Sequence, residues 1–497
     1  MGKIRNLFIG SVLLLMSCHQ NPDGSNSNQK EFEASNPDFA NQFGTELKNI
    51  YEENLLYGDF IFAVVDENGL AYSFAMNRDI LEGKKSSLDD NSPIYIASHT
   101  KSFTGTLLKI LEENDQLDLN NSLADYLPEL NFNDSIDTKT IKIKALLNHT
   151  HGTFSNALTW KTAFLGYSGD NAELIKDLNT DFLYDPSGRF RYSNIGPILA
   201  GFVAEKQTGN TWKEQMKEQI FKPLGMKNTS ANVTDFDLQA IRSSVTASKD
   251  KGIIETGFYK EDVTMHASGG IISTINDLSK WLSANIRQDE ILMKKDAWAD
   301  LHNSSTVQDR EYFTYKRRGY SLGWDVAEYQ NEKILTRFGG LAGISFHISF
   351  MPEKDIGIVA FSTDNRAFAL PHLMANYAYN QLNNLNADSI FIEEKQRYNV
   401  SFSRENDIFY PNKEDLLENS DFKNEIVGDY KSTSGWPAIS INNEDSLYRF
   451  NWGVLSGKIY KTENGSFISR MGVLDRNFEI KNDTLITGSL IYTKIKE

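Results

Sequence analysis

A chain of 497 residues is long enough for two or three domains with full hydrophobic cores. Its net charge of −16 speaks against a nucleic-acid partner, whose phosphates call for a basic patch. The single cysteine, Cys18, excludes an intramolecular disulfide.

Lys3 and Arg5 precede an apolar run from Leu7 to Met16 and then Ser17-Cys18, the charged, apolar and small-residue order of a secretory signal. The run is shorter than the roughly 20 residues a membrane-spanning helix requires. Leu15-Met16-Ser17-Cys18 resembles a lipobox. That resemblance implies a lipoprotein signal over residues 1–18, lipidation at Cys18, and a protein anchored in a membrane of the bacterial cell envelope, facing the periplasm or the surface. An ordinary signal peptide with an incidental cysteine is the alternative. Residues 19–38, polar at first with Gly, Pro, Ser and Asn, are expected to form a flexible tether.

Phe39, Phe43, Leu47, Ile50 and Tyr51 recur at helical spacing. Two β-rich runs, Phe60–Asp66 and Leu70–Met76, flank Glu67-Asn68-Gly69 and predict a hairpin. Helical and loop-rich sequence follows until about residue 320, where strands return over Tyr320–Tyr329, Ile334–Phe338, Ile344–Met351 and Ile356–Ser362. Leu370, Leu373, Met374, Tyr377 and Ala378 then mark one face of a second amphipathic helix. This order predicts an α/β (α+β) domain over residues 39–385: an antiparallel sheet flanked by helices and split by an inserted all-α part, with a cleft between the two. Residues 386–420 are polar and expected as a linker. Residues 421–497 alternate short strands with turn signals such as Gly428-Asp429 and Lys481-Asn482-Asp483, and predict a small all-β barrel or sandwich. The aromatics between Trp436 and Trp452 read as core of that domain rather than as a ligand box.

Ser98-His99-Thr100-Lys101 opens a helix whose buried stripe is Phe103, Leu107, Ile110 and Leu111. Positions i and i+3 share a helix face, so the Ser98 hydroxyl lies beside the Lys101 amine. A serine hydroxyl needs a proton acceptor to become a nucleophile, and a desolvated lysine near a second cation can serve. The same S-x-x-K spacing occurs at Ser27/Lys30, Ser248/Lys251 and Ser420/Lys423, but none of these opens an amphipathic helix behind an apolar run such as Ile94-Tyr95-Ile96-Ala97. Tyr192-Ser193-Asn194 supplies a phenol that can relay a proton and an amide that can orient a substrate. Tyr-x-Asn recurs at Tyr329/Asn331 and Tyr410/Asn412, so only its setting, between the turn Asp185-Pro186-Ser187-Gly188 and an apolar helix, favours Tyr192.

Together these stretches resemble the serine β-lactamase and penicillin-binding-protein family, with its class C β-lactamases, DD-carboxypeptidases, D-aminopeptidases and esterases. Ile96–Thr106 resembles the nucleophile helix, Ile143–Gly152 the "LL-x-HTSG" stretch, and Phe190–Gly201 the "YSN-x-G" helix. Ile220–Thr229 resembles the "PLGM" turn, Ala267–Trp281 the "AGG-x-x-ST-x-x-DL" segment, Tyr320–Trp324 the "GLGW" strand and Gly339–Gly357 the closing strands. The match covers about residues 40–385 in the family's order. The resemblance implies that Ser98 is acylated, that Lys101 and Tyr192 move protons, that Asn194 contacts the substrate amide, and that the N–H groups of Ser98 and Gly340 hold the oxyanion. It implies no cofactor and no metal, and a small peptide, amide or ester as substrate. The last domain resembles lipocalin-like appendages.

One motif departs. Arg337-Phe338-Gly339 stands where the family has Lys or His, any residue, then Gly. Arginine keeps the charge and can clamp a carboxylate, but it cannot give up its proton. Phe338 removes a hydroxyl and is expected to make the adjacent cleft wall apolar. His149-Thr150-His151 has the look of a metal pair, but no further ligand follows at metal spacing. His99 and His266 read equally as pocket-wall or packing residues and as catalytic ones. The expected activity is therefore serine hydrolysis through an acyl-enzyme on Ser98, on an amide or ester such as a D-residue peptide or cell-wall fragment. An esterase, a weak β-lactamase, or a catalytically silent substrate-binding lipoprotein are the alternatives.

Overall fold

A computed structural model describes residues 27–166, 170–180, 182–248, 252–255, 258–402, 426–432, 436–444, 447–462, 465–471 and 474–496. The expected signal with Cys18, along with Ser420/Lys423, Tyr410/Asn412 and Lys251, lies outside the described residues.

Two antiparallel strands near the start, β1 (Phe60–Asp66) and β2 (Gly69–Met76), join six from the second half of the domain. These are β3 (Thr306–Tyr312), β4 (Tyr315–Tyr320), β5 (Asp325–Tyr329), β6 (Glu332–Leu341), β7 (Ile344–Met351) and β8 (Ile356–Ser362). The sheet order is β2-β1-β8-β7-β6-β5-β4-β3, with β1 antiparallel to β8 from Phe60↔Ser362 to Val65↔Gly357. More than two hundred residues of largely helical sequence are thus inserted into one sheet, as the order of apolar patterns predicts. Along β1 the side chains alternate between two cores: Phe60, Phe62 and Val64 face one, while Ile61, Ala63 and Val65 face the other. Burial on both faces explains why this strand reads as an unbroken apolar run. Helices α1 (Ser27–Ser35), α2 (Pro37–Asn54), α6 (Leu370–Leu382) and α7 (Ala387–Phe402) lie on the first face. Helices α3 (Thr100–Glu113), α4 (Ile195–Thr208) and α5 (Ile275–Arg287) lie on the second. Each fully buried Phe or Leu stabilises by about 1.5–3 kcal/mol.

Three expectations need correction. Strands return at Thr306 rather than about 320, because the exposed edge strand β3 and its neighbour β4 carry charged runs (Asp309-Arg310-Glu311, Lys316-Arg317-Arg318) that mask the apolar alternation. The expected tether is helical from Ser27, where Phe32 packs edge-on against Phe39 at 5.8 Å and against Tyr72 at 5.5 Å. The expected linker begins as α7, whose Phe391, Glu394 and Tyr398 are buried against the sheet domain.

Strands from Gly428–Ser432 to Leu490–Lys494 form a closed eight-stranded barrel in which each pairs with the next, and the first closes on the last through Tyr430↔Lys494. Trp436, Tyr448, Phe450 and Trp452 are buried in it, as core residues. The barrel docks on the inserted part: Val454 N–H donates to the Phe164 carbonyl at 3.0 Å, and the Arg476 guanidinium covers the Trp160 ring. Among the described residues no helix is long and apolar enough to cross a membrane.

Candidate active site

The stripe of α3 sets the nucleophile. Phe103 stacks on Trp281 of α5 at 3.9 Å, and Leu107, Leu108 and Leu111 are fully buried behind it. Gly105 is the point of closest approach: a Cβ there would fall 1.6 Å from the Leu322 carbonyl oxygen, so only glycine lets the helix seat. Ahead of α3, Ala97, Ser98 and His99 form a 3₁₀ turn, with Ala97 at φ +44. A non-glycine residue in that left-handed region carries strain, held here by the packing on both sides. The turn lifts the Ser98 hydroxyl onto the face of Lys101.

The Lys101 ammonium is buried and donates to three oxygens: Ser98 Oγ at 3.2 Å, Asn194 Oδ1 at 2.7 Å and the Ser268 carbonyl at 2.7 Å. It also lies 4.8 Å from the centre of the Tyr192 ring. None of these partners is a carboxylate. Burial and the neighbouring Arg337 therefore pull the Lys101 amine down to about 8, against the opposing pull of Tyr192. Burial pushes the Tyr192 phenol up, but the Lys101 and Arg337 charges, with hydrogen bonds to Lys101 and Ser98, bring it below the usual tyrosine range. Amine and phenol thus compete for one proton next to the Ser98 hydroxyl.

Strand β6 brings in the departing motif. It pairs with β5 only as far as Thr336, while its pairing with β7 continues to Leu341, so one edge is free from Arg337 onward. The Ser98 turn lies against that edge, where a Cβ on Gly339 would sit 2.6 Å from the Ile96 carbonyl oxygen. A Cβ on Gly340 would meet Phe368 at 3.3 Å on the other side. Arg337 is 3% exposed and engaged through both terminal nitrogens, Nη1 on Asp325 at 3.0 Å and Nη2 on the Tyr192 hydroxyl at 3.0 Å and on the Ser98 carbonyl at 3.3 Å, while its buried Nε has no partner among the described residues.

Strand alternation sends Phe338 away from Ser98. It packs in the opposite core, 4.2 Å from Tyr312 and 4.9 Å from His347, and does not line the wall beside the nucleophile as its sequence position suggested. The Arg337 expectation also changes, because a buried guanidinium whose two terminal nitrogens are taken by Asp325, Tyr192 and Ser98 is not an open anchor for an anion. His99 is a packing residue, accepting the Trp281 indole N–H at 2.9 Å and stacked on Phe346. His149 lies 4.6 Å from the Tyr192 ring and accepts the Ser193 N–H, while His151 accepts the Thr153 N–H. Burial holds both imidazoles below the usual histidine range.

The structure thus brings together Ser98, Lys101, Tyr192, Asn194, Arg337 and Gly339 from three distant stretches of chain. Asp325 and the Ser268 carbonyl escaped the sequence reading. A backbone oxygen has no sequence signature, and Asp325 becomes visible only once β5 and β6 are paired.

Residues 61–378 match the Beta-lactamase family. The chain is 22% identical over 273 residues to an unguisins hydrolase of Aspergillus campestris, covering 53% of this chain and 51% of that protein. It is 24% identical over 323 residues to protein flp of Staphylococcus aureus, covering 64% and 62%. The chain therefore spans only half to three-fifths of the length of these relatives. Among solved structures, a penicillin-binding protein homologue from Pyrococcus abyssi superposes with TM-score 0.60 and 19% identity, covering 92% of this chain and 100% of that one. A D-amino acid amidase from Ochrobactrum anthropi does so with TM-score 0.55 and 17% identity, covering 72% and 99%.

The electrostatics generate a pH prediction. The proton-accepting form of the Lys101–Tyr192 pair grows as pH rises through about 8, so kcat/KM on a chromogenic ester is expected to climb across that range. Arg337→Met removes a cation that lowers both groups, and is expected to move the rising limb to higher pH by about one unit. A limb that stays in place in Arg337→Met contradicts this coupling.

Proposed function

Because the chain belongs to the β-lactamase family, we propose that it is a serine hydrolase that cleaves an amide or ester through an acyl-enzyme on Ser98. The carrying observation is the Lys101 ammonium bonded to both Ser98 Oγ and Asn194 Oδ1 with no carboxylate partner among the described residues.

In the proposed cycle the Ser98 oxygen attacks the substrate carbonyl carbon while its proton passes to the Lys101–Tyr192 pair. The N–H groups of Ser98 and Gly340 hold the developing oxyanion, a contribution commonly worth about 3–4 kcal/mol per donor. The carbon–nitrogen or carbon–oxygen bond then breaks, and the leaving group takes the proton back from Tyr192. Water repeats the sequence on the acyl-enzyme and releases the acid. Asn194 both steadies Lys101 and faces the substrate amide, while Arg337 keeps the pair's proton mobile. An amide substrate is favoured by the company of a D-amino acid amidase among the structural neighbours.

The assay is hydrolysis of a matched p-nitroanilide and nitrophenyl ester. Ser98→Ala is expected to abolish turnover, and Lys101→Ala and Tyr192→Phe each to slow acylation roughly a thousandfold, with the double variant little worse than either, as for residues acting as one unit. Near-normal turnover in Ser98→Ala defeats the scheme.

Attachment to a membrane through a lipidated Cys18 is part of the same reading, supported by the Leu15–Cys18 sequence. Cys18→Ser is expected to move the protein from the membrane fraction to the soluble or uncleaved form. Unchanged fractionation removes the anchor from the account.

A further inference from the structure

A second lysine lies buried beside the first. Lys260 is 3% exposed, its backbone N–H donates to the Tyr95 hydroxyl at 3.1 Å, and its ammonium donates to the Gly269 carbonyl at 3.1 Å. The Lys101 ammonium binds the Ser268 carbonyl, so two consecutive carbonyls of one turn receive the two lysines. That turn abuts the nucleophile: a Cβ on Gly269 would lie 3.9 Å from the Ala97 carbonyl and 3.8 Å from the His266 ring.

Among the described residues no carboxylate pairs with Lys260. The charges that reach it are Lys101 on α3 and Lys213, and Lys213 is engaged with Asn232 Oδ1 at 2.9 Å and the Asp262 carbonyl at 3.0 Å. The nearby His266 imidazole is held neutral by burial and these cations. An ammonium has three protons to donate, and the one bond to Gly269 leaves donor capacity unspent in a place where an uncompensated charge is costly. Burial and the two cations bring the Lys260 amine down to about 7. An anion arriving there would restore the missing partner and draw the amine back to its charged form. Arg337 has both terminal nitrogens committed, to Asp325, Tyr192 and the Ser98 carbonyl, which leaves only its buried Nε without a partner among the described residues.

Resting on the serine-hydrolase reading, the geometry points to Lys260 as the residue that receives a carboxylate of the substrate, so that the enzyme selects anionic amides or esters.

The test uses the full chain and two matched pairs of esters. The first pair is p-nitrophenyl hydrogen glutarate against its methyl ester, which places the carboxylate on the acyl side. The second is 3-carboxy-4-nitrophenyl butyrate against 4-nitrophenyl butyrate, which places it on the leaving group. In Lys260→Met the anionic-to-neutral ratio of kcat/KM is expected to fall about tenfold or more in one of the pairs, the usual effect of losing a charge-assisted hydrogen bond. Lys260→Arg, which keeps a cation, is expected to retain most of that ratio. In Ser98→Ala, glutarate binding measured calorimetrically in two buffers of different ionisation enthalpy is expected to take up protons at pH 7.5, and to lose that uptake when Lys260→Met is added. An unchanged ratio in both pairs, or an equal fall on the anionic and neutral members, overturns the inference while leaving the hydrolase reading standing. Loss of turnover on every ester by the unaltered protein is the separate failure of that reading, and absence of proton uptake on glutarate binding then overturns the inference as well.

Discussion

The site depends on a buried cation, Lys101, that has no counter-ion among the described residues. Lys101 sits between Ser98 Oγ, Asn194 Oδ1 and the Ser268 carbonyl, all neutral acceptors. A carboxylate in any of these positions would fix the ammonium and end its use as a base, since an opposite charge favours the protonated form. Neutral oxygens satisfy its protons without holding them. The rest of the domain serves this arrangement. Gly105 lets α3 lie on the Leu322 backbone, Phe103 and Trp281 fix the helix from behind, and the strained Ala97 turn presents Ser98.

Arg337 shows how a departure from the family's third motif is accommodated. Its charge lowers the Lys101 amine as a titrating neighbour would, yet it is tied to Asp325 and gives no proton. Asp325 in turn receives Arg317 at 3.4 Å and the Gln308 amide at 2.9 Å, so the pair is embedded in a network rather than isolated in the core. The proposed consequence is a division of labour in which Arg337 tunes the proton pair and the Lys260 ammonium, with its one bond to Gly269, receives the substrate.

Much of this was legible in sequence. The continuous apolar run of β1, the hairpin after it and the strands from Ile334 to Ser362 carry the sheet, and the S-x-x-K and Tyr-x-Asn spacings carry Ser98, Lys101, Tyr192 and Asn194. What was not legible has physical reasons. Edge strand β3 and its neighbour β4 carry runs of three consecutive charged residues, so period-two alternation is masked there. Helix α1 and the start of α7 are polar by composition and gain their order from a few contacts, Phe32 on Phe39 and Glu394 beneath Tyr329 and Asn376. Phe338 was read one strand face out of place, because its position next to Arg337 suggests the cleft whereas alternation sends it to the opposite core. Lys260 belongs to no motif, and its lack of a carboxylate partner among the described residues arises only in the folded chain.

The most direct test of the central claim is to find where a covalent probe lands. The protein is treated with a fluorophosphonate and, separately, with a fluorescent penicillin, digested, and the adduct located by peptide mass. The account predicts an adduct on Ser98 from at least one reagent, formed faster as pH rises through about 8 and absent from Ser98→Ala. An adduct on another residue, or none from either reagent, contradicts it.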